Sequence, residues 1–76
     1  MLEKDIEKIL TTEIKKLGGR AYKFISPGNS GVPDRIVVLP GGKMMFVELK
    51  AKTGSLSVLQ SVQVKRLIEL GQKVYV

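Results

Sequence analysis

Apolar residues recur at Leu2, Ile6, Ile9, Leu10, Ile14 and Leu17, at spacings of three and four. That is the period of one helix face, and it predicts a helix over residues 2–17. Gly18-Gly19 stops it, because glycine readily takes the left-handed conformation that ends helices. Glu3 and Glu7 lie one turn apart beside the stripe, whereas Glu13 falls inside it by angle, for which the sequence offers no reason. Residues 20–25 read as a short strand, with Ala21, Tyr22, Phe24 and Ile25 as its apolar bulk. Ser26-Pro27-Gly28-Asn29-Ser30-Gly31 is a loop by every turn signal. It delivers the chain to Pro33-Asp34, where Pro33 fixes its own φ and pushes Val32 towards an extended conformation.

Two nearly unbroken apolar runs follow, residues 35–39 and 43–50, separated by Pro40-Gly41-Gly42. Runs of this kind, rather than clean alternation, predict a sheet covered on both faces. The loop between them decides which side chains meet. A two-residue loop at Gly41-Gly42 would pair Asp34 with Leu49 and turn it away from Glu48. A three-residue loop with glycine in the left-handed region is a common hairpin form, and it puts Asp34 on the face of Glu48 and Lys50. An odd-length loop or a bulge is therefore expected. A polar turn over residues 51–56, around Thr53-Gly54, leads to a second helix over 57–70. Ser57 is its N-cap, Gln60 stands three residues later at capping-box spacing, and Gly71 is its stop. Gln60, Val64, Leu67 and Ile68 form one face, while Val58, Val62 and Leu70 lie elsewhere, so the helix is apolar on more than one side. Residues 73–76 read as a last strand. The order is helix, three strands, helix, strand.

Composition narrows the chemistry. The 76 residues make one domain, 1–76, and so short a chain buries only about 60 % of its unfolded surface, leaving a marginal core. A net charge of +6 favours an anionic partner, nucleic acid first and anionic membrane second. There is no Cys and no His, which excludes a disulfide framework, a thiolate nucleophile, a Ser-His pair and any Cys- or His-ligated metal. Hydrolysis would have to use carboxylates with a hard metal, or lysine. No apolar run reaches the length of a membrane span, and the Glu/Lys-rich start is unlike a signal peptide, so a soluble, intracellular chain is expected.

The hairpin supplies such groups. Asp34 opens its first strand, Glu48 nears the close of the second, and Lys50 follows by two, roughly 7 Å along the same face. Two acids and a lysine converging beside an apolar sheet suggest a Mg²⁺ site for phosphodiester cleavage. Asp34 and Glu48 would be ligands, with the Leu49 carbonyl as a further one. Lys50 would hold or deprotonate the attacking water, or stabilise charge on the phosphate, and sequence does not separate those roles. The plainer alternative makes Asp34 a turn residue and Glu48/Lys50 a solvated pair, leaving a basic nucleic-acid-binding module without catalysis.

These residues stand in the αβββαβ order of the PD-(D/E)XK nuclease superfamily, and within it the chain closely resembles the virus-type replication-repair nuclease domain, VRR-NUC. The residues that carry the resemblance are Gly18-Gly19, Tyr22-Lys23-Phe24, Ser26-Pro27-Gly28, Gly31-Val32-Pro33-Asp34-Arg35, Gly41-Gly42, Phe46-Val47-Glu48-Leu49-Lys50, Leu59-Gln60, and Leu67 followed by Leu70-Gly71. They span nearly the whole chain. The resemblance implies an α/β fold with a mixed sheet flanked by helices. It also implies a Mg²⁺-dependent endonuclease, with Mn²⁺ as substitute, acting on structured DNA in replication, recombination or repair. Asp34, Glu48 and Lys50 carry over as the catalytic core. Gln60 matches the family's second-helix glutamine, a role that stands beside helix capping. Glu3 matches the first-helix glutamate, as catalytic residue and metal ligand, with Glu7 the second candidate. Lys23 and Arg35 would be phosphate contacts or ordinary solvated charges, and the 26–31 loop, with Ser26 and Asn29, would touch the DNA backbone or merely connect. Stand-alone phage and bacterial members look like homodimers that cut four-way junctions. The partners implied are thus branched DNA and a second copy of the chain, with no membrane, in the cytoplasm of a bacterial host and with a phage or prophage origin.

Overall fold

The computed structural model describes residues 2–50 and 54–76. Helix α1 (Glu3–Lys16) is followed by strands β1 (Arg20–Lys23), β2 (Arg35–Leu39) and β3 (Lys43–Val47), helix α2 (Val58–Glu69) and strand β4 (Val74–Tyr75). The strands form one sheet in the order β1-β2-β3-β4. The first two pairings are antiparallel and β3 pairs with β4 in parallel. A parallel return needs a crossover, and α2 provides it. Of the polar turn expected over 51–56, residues 51–53 lie outside the described residues. Among the described residues no helix is long and apolar enough to cross a membrane.

The hairpin has the odd-length loop. Leu39 pairs with Lys43 around Pro40-Gly41-Gly42, and Arg35 pairs with Val47. Gly41 and Gly42 carry φ of 84° and 75°, left-handed values that cost a residue with a Cβ far more than glycine. Ile36 lies directly opposite Phe46, so one further step puts Asp34 opposite Glu48 on the same face. Val37 is fully buried on the other face.

Three strands are shorter than expected: β4 keeps only Val74–Tyr75 of residues 73–76, and β1 and β3 also stop early. β1 ends at Lys23 rather than Ile25. Phe24 still donates its N–H to the Asp34 carbonyl at 2.8 Å, and the chain then leaves the sheet into the 26–31 loop. Ile25 turns out to solvent. β3 ends at Val47 rather than Lys50. Glu48 donates its N–H to the Tyr75 carbonyl at 2.8 Å, and the Leu49 N–H then goes to the Asp34 side chain instead of a strand.

The helices take opposite faces. On the Arg35–Val37–Leu39 face Glu7 of α1 meets Arg35; on the Asp34–Glu48 face Gln60 of α2 meets Glu48. Coverage of that second face is partial, against the expectation of a sheet closed on both sides. α2 packs against β4, and the Val38–Met44 row near the hairpin turn stays exposed, as does Tyr22 on the outer strand. Phe46 is buried there with Phe24 tilted against it, ring centroids 5.7 Å apart.

Candidate active site

Among the described residues Glu48 is the most buried charged group, its residue 1 % exposed. An ionised carboxylate is costly there unless its oxygens are satisfied. One is: Oε1 accepts a hydrogen bond from Nε2 of Gln60 at 2.9 Å and lies 3.9 Å from Nζ of Lys50. The other, Oε2, is buried without a hydrogen-bond partner. Asp34 opposite uses Oδ2 to accept the Leu49 N–H at 3.0 Å. Burial pushes the Glu48 carboxyl up to about 7, the neighbouring Asp34 charge adds to the rise, and Lys50 works against it. The pair therefore favours sharing a proton or a cation over carrying two bare charges.

Local sequence explains how these groups are held. Pro33, itself buried, launches Asp34 stiffly at the strand start. Ser57 caps α2 through its side chain, which accepts the Gln60 N–H at 3.2 Å, and the Gln60 Oε1 accepts the Ser57 N–H at 2.9 Å. Gln60 thus does both jobs open to it: its carbonyl oxygen caps the helix and its amide nitrogen reaches Glu48. The 26–31 loop braces this end of α2. Gln63 donates to the Ser30 carbonyl at 3.3 Å. Gly31, at φ +88°, lies so close that a Cβ there would sit 2.6 Å from the Leu59 carbonyl carbon and 2.8 Å from the Gln60 nitrogen.

Four expected site residues go elsewhere. Arg35 is not a free phosphate contact: its side chain is 16 % exposed, donates to the Ala21 carbonyl at 3.1 Å, and pairs with Glu7. One residue beyond Asp34 on a strand, it must point to the opposite face. Glu3 is exposed, and among the described residues no group of three acidic side chains comes together to hold a metal. Its helix lies over the face opposite Glu48, so neither α1 glutamate joins the acidic pair. Ser26 and Asn29 bond one another, Nδ2 donating to Oγ at 2.9 Å, which shapes their loop. Lys23 remains exposed at the end of β1 nearest the site. The bracing role of Gly31 was missed from sequence; the signal was a second glycine closing a loop otherwise complete at Gly28.

Two carboxylates opposed on one face of the hairpin, one with an orphan buried oxygen, fit a hard divalent cation. Mg²⁺ commonly takes only one or two carboxylates and fills its remaining positions with water and phosphate oxygens. A buried Glu48 on the same face as a part-buried Asp34, with a lysine and a helix glutamine beside it, matches the arrangement expected of a PD-(D/E)XK nuclease. The comparisons agree. A protein called "Putative nuclease p44", from Acyrthosiphon pisum secondary endosymbiont phage 1, is 51 % identical over 74 residues, which are 97 % of this chain and 80 % of that protein. A solved structure described as a VRR_NUC domain superposes with a TM-score of 0.89 at 31 % identity, covering 96 % of this chain and 80 % of the other. No family model matches the sequence. The chain belongs to the VRR-NUC nuclease family.

Proposed function

We propose that this chain is a Mg²⁺-dependent endodeoxyribonuclease, for which Mn²⁺ substitutes, that hydrolyses phosphodiester bonds in branched DNA such as four-way junctions. The observation that carries the reading is the orphan Oε2 of Glu48, buried on the same face as Asp34. A core as small as this one does not bury an unsatisfied carboxylate without a use for it. Asp34 and Glu48 are the residues that hold the ion, with the Leu49 carbonyl as a further ligand. When bound, Mg²⁺ supplies charge neutralisation on the scissile phosphate and lowers the pKa of a coordinated water.

The other residues divide the remaining work. Gln60 holds Oε1 of Glu48, which leaves Oε2 free to bind. Lys50 stands beside the same carboxylate and is 20 % exposed, so its ammonium reaches both the site and an incoming phosphate. There it orients the attacking water and stabilises charge developing on the phosphate oxygens. Lys23, paired with Arg35, starts on the face away from the acidic pair and stands exposed at the sheet edge, where it would meet DNA backbone passing round β1. Glu3 is not assigned to the ion, for want of any contact that brings it near the pair.

A second copy of the chain completes the reading. Two sites about a two-fold axis would cut opposed strands of a junction symmetrically. The uncovered apolar residues of α2, Val58, Leu59 and Val62, support self-association. The biological setting is phage DNA replication, recombination or repair in the cytoplasm of the host.

The test is a labelled four-way junction incubated with Mg²⁺, with Mn²⁺, with EDTA, and with Asp34→Asn. Nicking that needs the metal and Asp34 is the expected result. Binding without nicking in every divalent metal would overturn it and leave a non-catalytic binder. The solution mass by light scattering tests the dimer.

A further inference from the structure

A groove separate from the acidic pair lies between α1 and β1. It has a volume of about 190 Å³ and is lined by Thr11, Thr12, Lys15, Arg20 and Ala21. Because β1 is the outermost strand, this groove opens along a free sheet edge. Among the described residues no carboxylate lines it. Among the described residues neither Lys15 nor Arg20 enters an ion pair, whereas Lys16 is tied to Glu13 and Arg35 to Glu7. Thr11 donates its hydroxyl to backbone carbonyls of its own helix, but Thr12 is exposed and its hydroxyl is available. An Arg fork, an ammonium and a hydroxyl, with no opposing acid, make a donor set suited to a phosphate group.

The position matters as much as the chemistry. Arg20, at the start of β1, pairs with Val38, so its side chain starts on the face that carries Asp34 and Glu48. From Arg20 to Phe24, which lies opposite Asp34, four residues of strand span about 13 Å, roughly four steps of a nucleic-acid strand at ~3.4 Å per charge. We propose that this groove is a second anchor for the DNA substrate, binding a backbone phosphate a few nucleotides from the one that is cut. The inference rests on the nuclease reading. Held at two points, the strand enters the acidic site in a fixed direction, and the groove contributes to binding and register while taking no part in the chemistry.

The experiment uses a fluorescein-labelled four-way junction and duplex, with binding followed by anisotropy in EDTA across a KCl series and cleavage followed separately in Mg²⁺. Lys15→Gln/Arg20→Gln is compared with Lys65→Gln/Arg66→Gln, which removes the same charge from the outer surface of α2. Losing one phosphate contact should make the slope of log affinity against log salt shallower by about 0.9. That shift is expected for the groove pair and not for the α2 pair. KM should rise for the groove pair while the rate at saturating DNA holds. Thr12→Glu, which places an acid in the groove and leaves both cations intact, should weaken binding in the same direction. Equal shifts from the two double variants, or none from the groove pair and Thr12→Glu, would overturn the proposal. A wild-type chain that binds this DNA but never cuts it would sink the nuclease reading and leave the anchor standing.

Discussion

Glu48→Gln should abolish cleavage and yet stabilise the metal-free protein above neutral pH. The Glu48 carboxyl is raised from 4.5 to about 7 by burial and by Asp34. The folded state therefore holds a proton that the unfolded chain has already released, over the window between those two values. Stability falls as pH rises through that window, because a proton bound more tightly by the folded state favours folding at low pH. At 1.36 kcal/mol per unit, the loss amounts to about 3 kcal/mol once pH exceeds 7. Glutamine keeps an oxygen for the Gln60 amide to bond, has no charge to desolvate, and turns an NH₂ towards Asp34 where Oε2 had no partner. Urea unfolding in EDTA, at pH 5.5 and pH 8, reads the difference directly. The wild type should lose stability between the two, while Glu48→Gln should stay nearly flat and exceed the wild type at pH 8. Parallel pH profiles for the two proteins would refute the claim that Glu48 sits destabilised at its site.

Lys50→Ala should retain divalent-metal binding by calorimetry and lose turnover; metal affinity lost with the lysine would contradict its role towards the water and phosphate. Gly31→Ala should destabilise the fold by about 2 kcal/mol or more, since it combines a left-handed φ with a clash against the backbone of α2; thermal melting checks the loss, and a melting point matching the wild type would show that the loop does not brace Gln60. Arg35→Met should cost about 2 kcal/mol in urea unfolding by stranding the half-buried Glu7, and Glu7→Gln in the same background should recover part of it; a neutral Arg35→Met would mean the ion pair contributes nothing.

The parts of this molecule that depend on neighbouring residues were legible in the chain. Pro40-Gly41-Gly42 set the parity of the hairpin, and with it the meeting of Asp34 and Glu48, because a strand side chain flips face with every residue. Ser57 and Gln60 announced the start of α2, since a capping box is closed within four residues. What lay beyond reach was the packing of one element on another. Glu7 and Arg35 are 28 positions apart, and only the angle at which α1 crosses the sheet tells that they pair. That same angle carries Glu3 away from the acidic pair, which no local pattern records. Gly31 looked like one more flexible loop residue, because its partner surface, the backbone at Leu59-Gln60, comes from an element formed much later in the chain. The double service of Gln60 was readable as two options, and it took the position of Glu48 to show that opposite ends of one amide satisfy both.

The most direct measurement is anomalous diffraction from crystals grown with Mn²⁺. A single strong peak between the Asp34 carboxylate and Oε2 of Glu48, absent in Asp34→Asn, is the expected outcome. A lattice saturated with manganese that shows no density at those two oxygens would contradict the assignment of this pair as the ion's seat.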